Sequence, residues 1–311
     1  MEFLMLAGYG SSPKCPGASC SWVNVDEAMK HLKQVAKIVK AMDADIIQVN
    51  EVEDCAVLTQ LIAEVALLGD ATYKPYLIRG TDTATGQNSA IITRVDPVSD
   101  MQRSSVSAKL PVSNSKCPSN AKVTAASKSV SKHFYTTFQL AGFVKPITVI
   151  GAHLLAQPQN LDRCHEREGQ ATVLAGIAAD ATAKGHDVII SGDLNDFSLQ
   201  APDKNNNVPI TNVLGILENT EYVNVGSLLP QSERFSQWWD KDNNCVFEET
   251  EVSSLDHVIV SKSLQDRISS VAFRHDLYYP PKCNDYNSDH FPIMFTLSAV
   301  AAGPVPTSSA P

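Results

Sequence analysis

The chain lacks the marks of several common protein classes. No run approaches the ~20 apolar residues of a membrane-spanning helix, and there is no basic excess, the formal net charge being −9. A tight non-specific nucleic-acid binder carries such an excess. The acidic balance therefore argues against passive nucleic-acid binding, though not against an enzyme that holds phosphate through a metal and a few basic groups. No CxxC pair or Cys/His cluster stands at zinc spacing. There is no GxxxxGK[ST] loop for a nucleotide and no GxSxG elbow for a serine nucleophile. The opening MEFLMLAGYG has neither the basic region nor the apolar length of a signal peptide.

What is present is a chain of 311 residues, 43% of them hydrophobic, enough to bury a large core. Seven cysteines are scattered through it, six in loop-like sequence. Pairs Cys15–Cys20, Cys117–Cys164 and Cys245–Cys283 are expected, with Cys55, inside a helical pattern, left as a buried free thiol. Such usage points to an oxidising, extracellular compartment, and both ends read as cut from a longer secreted precursor. Residues 1–299 are expected to form one domain. The 300–311 tail, rich in Pro, Ser and Ala, is expected to be disordered.

Periodicity predicts a short strand over 2–6, a helix over 24–42, a strand over 45–49 and a helix over 54–68. Strands over 73–78 and 89–93 follow, then a polar excursion over 96–130. Strands over 133–140 and 147–153 precede a helix over 160–183 and a strand within 186–197. A short helix over 211–218 and strands over 255–260, 271–275 and 291–297 complete the pattern. Mixed α/β elements with this many strands favour two sheets packed face to face with outer helices, because a doubly wound parallel sheet needs more helices.

The stretch HDVIISGDLNDF, 186–197, organises the rest. Val188, Ile189 and Ile190 form a strand; Asp193, Asn195 and Asp196 crowd its carboxyl end. Polar groups there are costly unless paired, and a divalent cation or a phosphate would pair with them; an ordinary Asp/Asn turn is the plainer alternative. The arrangement recurs. Asn50 and Glu51 end one strand, His153 ends another, Asp256 and His257 lie in SSLDHVIV, and Ser288, Asp289 and His290 precede the last strand. Carboxylates and an amide oxygen suit a hard ion such as Mg²⁺, with Mn²⁺ or Ca²⁺ as substitutes. A histidine oriented by an aspartate suits proton transfer or charge stabilisation at phosphorus.

The motifs NE at 50–51, GAHL at 151–154, GDLN at 192–195, LDHVIVS at 255–261 and SDH at 288–290 together resemble the endonuclease/exonuclease/phosphatase superfamily. The resemblance implies a four-layer α/β/β/α sandwich with its site between two mixed sheets. It implies Glu51 as the principal Mg²⁺ ligand and Asp289 as a second. Asp193 would activate the attacking water, with Asn195 helping to hold it. His290, oriented by Asp256, would contact the scissile phosphate, and His153 matches the family's second histidine, as in the deoxyribonuclease type. Glu2 falls where the apurinic type carries an acidic ligand. The family's first-strand Asn has no counterpart, and only Asp82 stands near the turn where the deoxyribonuclease type pairs its first histidine with a Glu.

Asn50, Arg167 and Lys132 are further candidates for phosphate contact, with Arg163 beside them; solvated surface charge is their plainer reading. Trp238 and Trp239 are candidates for stacking on a base, against core or loop packing. Asp240, Asp242, Asn244 and Glu251 fit positions 1, 3, 5 and 12 of a calcium loop, but Cys245 stands at position 6 where Gly is required. The expectation is a monomeric, Mg²⁺-dependent hydrolase of a phosphodiester substrate, nucleic acid favoured. A phosphatase or phospholipid diesterase is the alternative within the fold, and an inactive binding domain the alternative outside enzymes.

Overall fold

The computed structural model describes residues 4–6, 14–18, 20–242, 244–277 and 288–299; Glu2, Cys283 and the 300–311 tail lie outside them. In chain order the elements are α1 (Val25–Met42), β1 (Ile46–Val52), α2 (Cys55–Leu67), β2 (Lys74–Leu77), β3 (Asn88–Thr93), β4 (Ala108–Lys109), β5 (Ser127–Lys128), β6 (His133–Phe138), β7 (Ile147–His153), α3 (Cys164–Ala183) and β8 (Asp187–Asp193). Then come α4 (Val213–Leu217), β9 (Tyr222–Asn224), β10 (Gln237–Trp238), β11 (Val252–Ser253), β12 (Asp256–Ser261), α5 (Lys262–Gln265), β13 (Ile268–Phe273) and β14 (Ile293–Leu297).

Local chemistry sets the helix starts. The Asn24 side chain accepts from the Glu27 amide at 3.0 Å, and that of Asp54 accepts from Val57 at 3.0 Å. Each cap satisfies one of the first-turn donors that have no intrahelical partner. α1 ends where Asp43 turns left-handed.

One sheet has the order β1-β3-β2, antiparallel throughout. The larger has the order β6-β7-β8-β12-β9. Within it β7 and β8 are parallel, as the intervening helix α3 requires, and the remaining pairings are antiparallel.

Strand alternation divides the core around the two sheets into three main clusters. Ile47, Val49, Ala90 and Ile92 turn to Leu32, Val35, Leu58 and Leu61 of α1 and α2. Ile91 on the other face of β3 meets Phe134, Val149, Ile189 and Val258 of the larger sheet. Ile150, Ile190 and Ile259 on that sheet's far face pack on Val173, Leu174 and Ile177 of α3. The protein is a mixed α/β fold, and its polar residues of interest end strands that face the cluster between the sheets.

Several expectations are corrected. Over 2–6 the described residues show only an isolated parallel bridge from Leu4 to Val52. The long helix opens with a 3₁₀ turn, Leu161–Arg163. The last strand starts at Ile293, two residues late, because Pro292 has no amide to donate. Periodicity missed β9, β10 and β11, which are too short to show a period. Cys15–Cys20 and Cys117–Cys164 are disulfides, and Cys245 is disulfide-bonded too. Cys55 is free but exposed, at the start of α2 on the side away from its packed face. Among the described residues no helix is long and apolar enough to cross a membrane.

Candidate functional site

Three of the singled-out residues stand side by side. β7 and β8 are in register with His153 opposite Asp193, and β8 and β12 with Asp193 opposite Asp256. Each is an even number of residues from a neighbour in the inter-sheet cluster (Val149, Ile189 and Val258), so all three side chains leave the same face of the sheet. The His153 Nε2 lies 3.4 Å from Asp193, and its Nδ1 lies 4.0 Å from Glu51, which ends β1 in the other sheet. His290 Nδ1 sits 2.5 Å from Asp256 Oδ2, and its Nε2 is 3.8 Å from Asp289. Glu51, His153, Asp193, Asp256, Asp289 and His290 all line one cavity of about 790 Å³, whose interior is largely apolar.

The backbone here is unusual. Glu51 (φ 65°) occupies the left-handed region at a register break in β1, and Asn195 (φ 48°) does so just after β8. For a glutamate such a conformation is uncommon and is held by surrounding contacts, whereas asparagine enters it more readily. Gly192 has φ 135°, and a Cβ there would lie 2.0 Å from the Ala152 carbonyl oxygen. Only glycine lets β8 approach β7 this closely beside the site.

Electrostatics separate the groups. Burial pushes the Asp193 carboxyl up to about 7, helped by repulsion from Asp256. His153 is held well below its ordinary value by burial and by the charge of Lys132, so its ring is neutral. For His290, burial opposes the charged ring, but the carboxylates of Asp256 and Asp289 outweigh it and raise the value well above ordinary. An imidazolium and a carboxyl poised near neutrality thus share one recess, the pairing expected of acid–base work.

The donor set fits a divalent cation. Four carboxylates (Glu51, Asp193, Asp256 and Asp289) border the recess, and the repulsion from Asp256 and Glu51 that adds to burial in raising Asp193 is what a bound cation would relieve. Oxygen donors of this kind suit Mg²⁺, which is held by one or two carboxylates with water and phosphate completing its shell.

The weaker candidates divide. Lys132 points inward, donating to Gln87 at 3.0 Å with Asp82 at 3.9 Å; burial lowers its value while Glu51, Asp82 and Asp193 oppose that. Asn50 joins the sheets, donating to the Ala152 carbonyl at 3.2 Å and accepting from Ser89 at 2.7 Å. Arg167 is corrected: it is fully buried and donates to the Gln157 and Pro158 carbonyls at 2.8 and 2.5 Å. It braces a loop from beneath and cannot reach a phosphate. Arg163 likewise donates to the Ala156 carbonyl at 3.1 Å. Asn195 is buried; its main-chain amide donates to Asp193 at 2.9 Å and its side chain to Leu154 O at 3.2 Å.

Trp238 and Trp239 separate as strand neighbours must. Trp238 is buried with Phe235, Val252 and Phe291, whereas Trp239 is 59% exposed and two residues from Gln237. Sequence reasoning missed Ser236 and Gln237. The Ser236 hydroxyl donates to Asp256 at 2.9 Å, and the Gln237 amide lies 3.3 Å from His290 Nε2. Their signal was only a two-residue strand.

The objection to the calcium loop falls in part, because Cys245 adopts φ 60° as a glycine would, and oxygens of Asp240, Asp242 and Glu251 gather within 4.8 Å. Those oxygens accept from the chain's own groups: Glu251 from Trp238 Nε1 and the Lys241 amide, Asp240 from the Cys245 amide.

No protein-family model matches this sequence, and no curated protein matches it. Solved structures do. A mannosyl-6-phosphatase of Bacteroides thetaiotaomicron superposes with a TM-score of 0.55 at 16% identity, over 96% of its chain and 94% of this one. An endonuclease/exonuclease/phosphatase of Beutenbergia cavernae gives 0.55 at 13% identity, over 69% of its chain and 94% of this one. The fold is that of the endonuclease/exonuclease/phosphatase superfamily. A third structure with this fold, D. rerio TDP2 complexed with single-strand DNA product, gives 0.54 at 15% identity, over 90% of its chain and 85% of this one.

Proposed function

We propose that this chain is an extracellular, Mg²⁺-dependent phosphodiester hydrolase acting on nucleic acid, built as a four-layer α/β/β/α sandwich. The observation that carries the reading is the convergence of His153, Asp193 and Asp256 in adjacent register with Glu51 from the other sheet and His290 on Asp256. Glu51 and Asp289 are the residues that would hold the cation, which when bound supplies charge neutralisation at the phosphate. Asp193, titrating near neutrality, takes a proton from the attacking water. Asn195 holds the Asp193 carboxylate through its main-chain amide. His290, kept protonated by Asp256, donates from Nε2 to the phosphoryl oxygen as negative charge develops there. Neutral His153, between Glu51 and Asp193, keeps the two carboxylates apart.

Nucleic acid is favoured by the single-strand DNA product in the TDP2 neighbour and by exposed Trp239, two residues from Gln237, an available stacking surface. The extracellular location rests on the disulfides. A phosphomonoester or lipid diester is the second reading, favoured by the mannosyl-6-phosphatase neighbour and the apolar lining of the cavity. The deciding experiment is Mg²⁺-dependent nicking of supercoiled plasmid beside hydrolysis of a chromogenic phosphodiester, with wild type and His290→Ala. Cleavage of both by wild type and neither by the variant is expected. Cleavage of the chromogenic diester alone moves the substrate to the second reading, and cleavage of neither overturns the enzyme.

A further inference from the structure

The turn that carries Asp193 and Asn195 is held from behind. On β12, Asp256 faces the site, so its neighbour His257 faces the opposite side of the sheet, toward α3 with Ile259. The ring is buried, and its hydrogen bonds determine its tautomer. Its Nδ1 lies 3.1 Å from the side-chain nitrogen of Asn224. That nitrogen also donates to Glu218 Oε1 at 2.7 Å, while Asn224 Oδ1 accepts from the Gly226 amide at 3.0 Å, so the amide cannot be turned the other way. An NH₂ group only donates. Nδ1 is therefore an acceptor, and in the neutral ring the proton sits on Nε2. Nε2 lies 2.8 Å from the main-chain oxygen of Asp196, the residue after left-handed Asn195.

The rest of the turn is tied on its other sides. The Leu194 amide donates to Leu255 O at 3.0 Å and the Leu154 amide to Asp193 O at 2.9 Å. The Thr211 hydroxyl donates to the Asp196 carboxylate, and Ser198 donates to Glu218 Oε2 at 2.9 Å. Glu218 thus joins both ends of the chain that runs from the turn through Asn224 to His257.

We propose that His257 is a positioning residue for the Asp193–Asn195 turn. As the Nε2–H tautomer set by Asn224 and Glu218, it holds the Asp196 carbonyl and so keeps Asn195 left-handed, with its amide on the Asp193 carboxylate. The inference rests on the reading of Asp193 as the base. Without the clamp Asn195 relaxes to an ordinary conformation, its amide swings off Asp193, and the carboxylate loses its aim while the phosphate-facing groups stay in place.

The test uses the full chain with His257→Gln, His257→Asn and His257→Leu. Glutamine puts a donor nitrogen where Nε2 stands; asparagine is too short to reach Asp196, and leucine has no donor. On a chromogenic phosphodiester the Asn and Leu variants are expected to lose about 10²-fold in kcat with KM nearly unchanged, the usual effect of a misplacement of roughly 1 Å, while Gln recovers most of the rate. Hydrogen exchange of the amides over 194–198 provides a readout that needs no turnover: protection kept in His257→Gln and lost in His257→Leu supports the clamp. Equal loss of kcat in Gln and Leu, or full activity in Leu, overturns it. A wild type that turns over no phosphoester defeats the functional reading instead. The exchange data then decide the clamp alone, and uniform protection across the three variants overturns it.

Discussion

Replacing Asp256 with asparagine tests the arrangement at its most charged point. Asp256 Oδ2 accepts from His290 Nδ1 at 2.5 Å and from the Ser236 hydroxyl at 2.9 Å. Burial alone would discharge His290; the Asp256 carboxylate, with Asp289, keeps it protonated. Asparagine keeps the shape and one acceptor oxygen but removes the charge. Stripping one partner from a buried pair costs about 3–5 kcal/mol, and since each side chain is about one-fifth exposed, the lower end applies. For a chain of this length about 3 kcal/mol lowers Tm by roughly 6 °C. With His290 no longer held as the donor, kcat is expected to fall about 10²–10⁴-fold. The assay is steady-state hydrolysis with thermal unfolding for Asp256→Asn, His290→Gln and the double variant. If the two residues act as one unit, the double variant is scarcely slower than the worse single one. Losses in kcat that simply multiply, or an Asp256→Asn variant of normal rate, would refute the pairing.

Acid is expected to destabilise the fold through His133. Burial, with the charge of Arg103, lowers its value to about 4, whereas in the unfolded chain it titrates near 6.5. The unfolded state therefore binds the proton first, and stability is lost as pH falls from about 6.5 to 4, by about 3 kcal/mol in total. Urea unfolding across this range should show a shallower slope in His133→Gln than in wild type, the remainder coming from other buried histidines such as His153; an equal slope in the two would refute the assignment. Gly192→Ala forces a Cβ to 2.0 Å from the Ala152 carbonyl oxygen at a positive φ; a stability loss of several kcal/mol, roughly 3 or more, is expected in chemical denaturation, and an unchanged midpoint would contradict the packing. Replacing both Cys117 and Cys164 with serine opens a bridge that closes a separation of 47 residues and should cost up to about 4 kcal/mol on chain-entropy grounds, read from denaturant unfolding beside wild type.

Much of the fold and of the candidate site was legible in the sequence. Val188, Ile189 and Ile190 announce β8 because a strand buried on both faces must be apolar throughout. Asp193, His153 and Glu51 stand out because each is a polar group near the carboxyl end of a strand, and His290 because it shortly precedes one, places where a polar group needs a partner. The motifs were likewise enough to name the fold. Arg167 and His257 were not legible. The sequence shows one as a helix arginine and the other as a histidine beside the catalytic-looking Asp256, and only packing decides that Arg167 turns inward to backbone carbonyls and that His257 faces away from the site. Gln237 escaped because two residues of strand have no period and its partner His290 lies more than fifty residues on, and Ser236 because it precedes that strand and its partner Asp256 lies twenty residues on.

The sequence by itself determined the longer strands and helices and which polar groups need partners, since both follow from local spacing and the cost of burying charge. The tertiary structure alone decided who those partners are. Register places His153, Asp193 and Asp256 in a row, and the opposing sheet brings Glu51 to them. The burial that results moves the Asp193 carboxyl to about 7, while the Asp256 and Asp289 carboxylates keep His290 charged against that burial, because a group's proton affinity depends on its neighbours in space and its access to water.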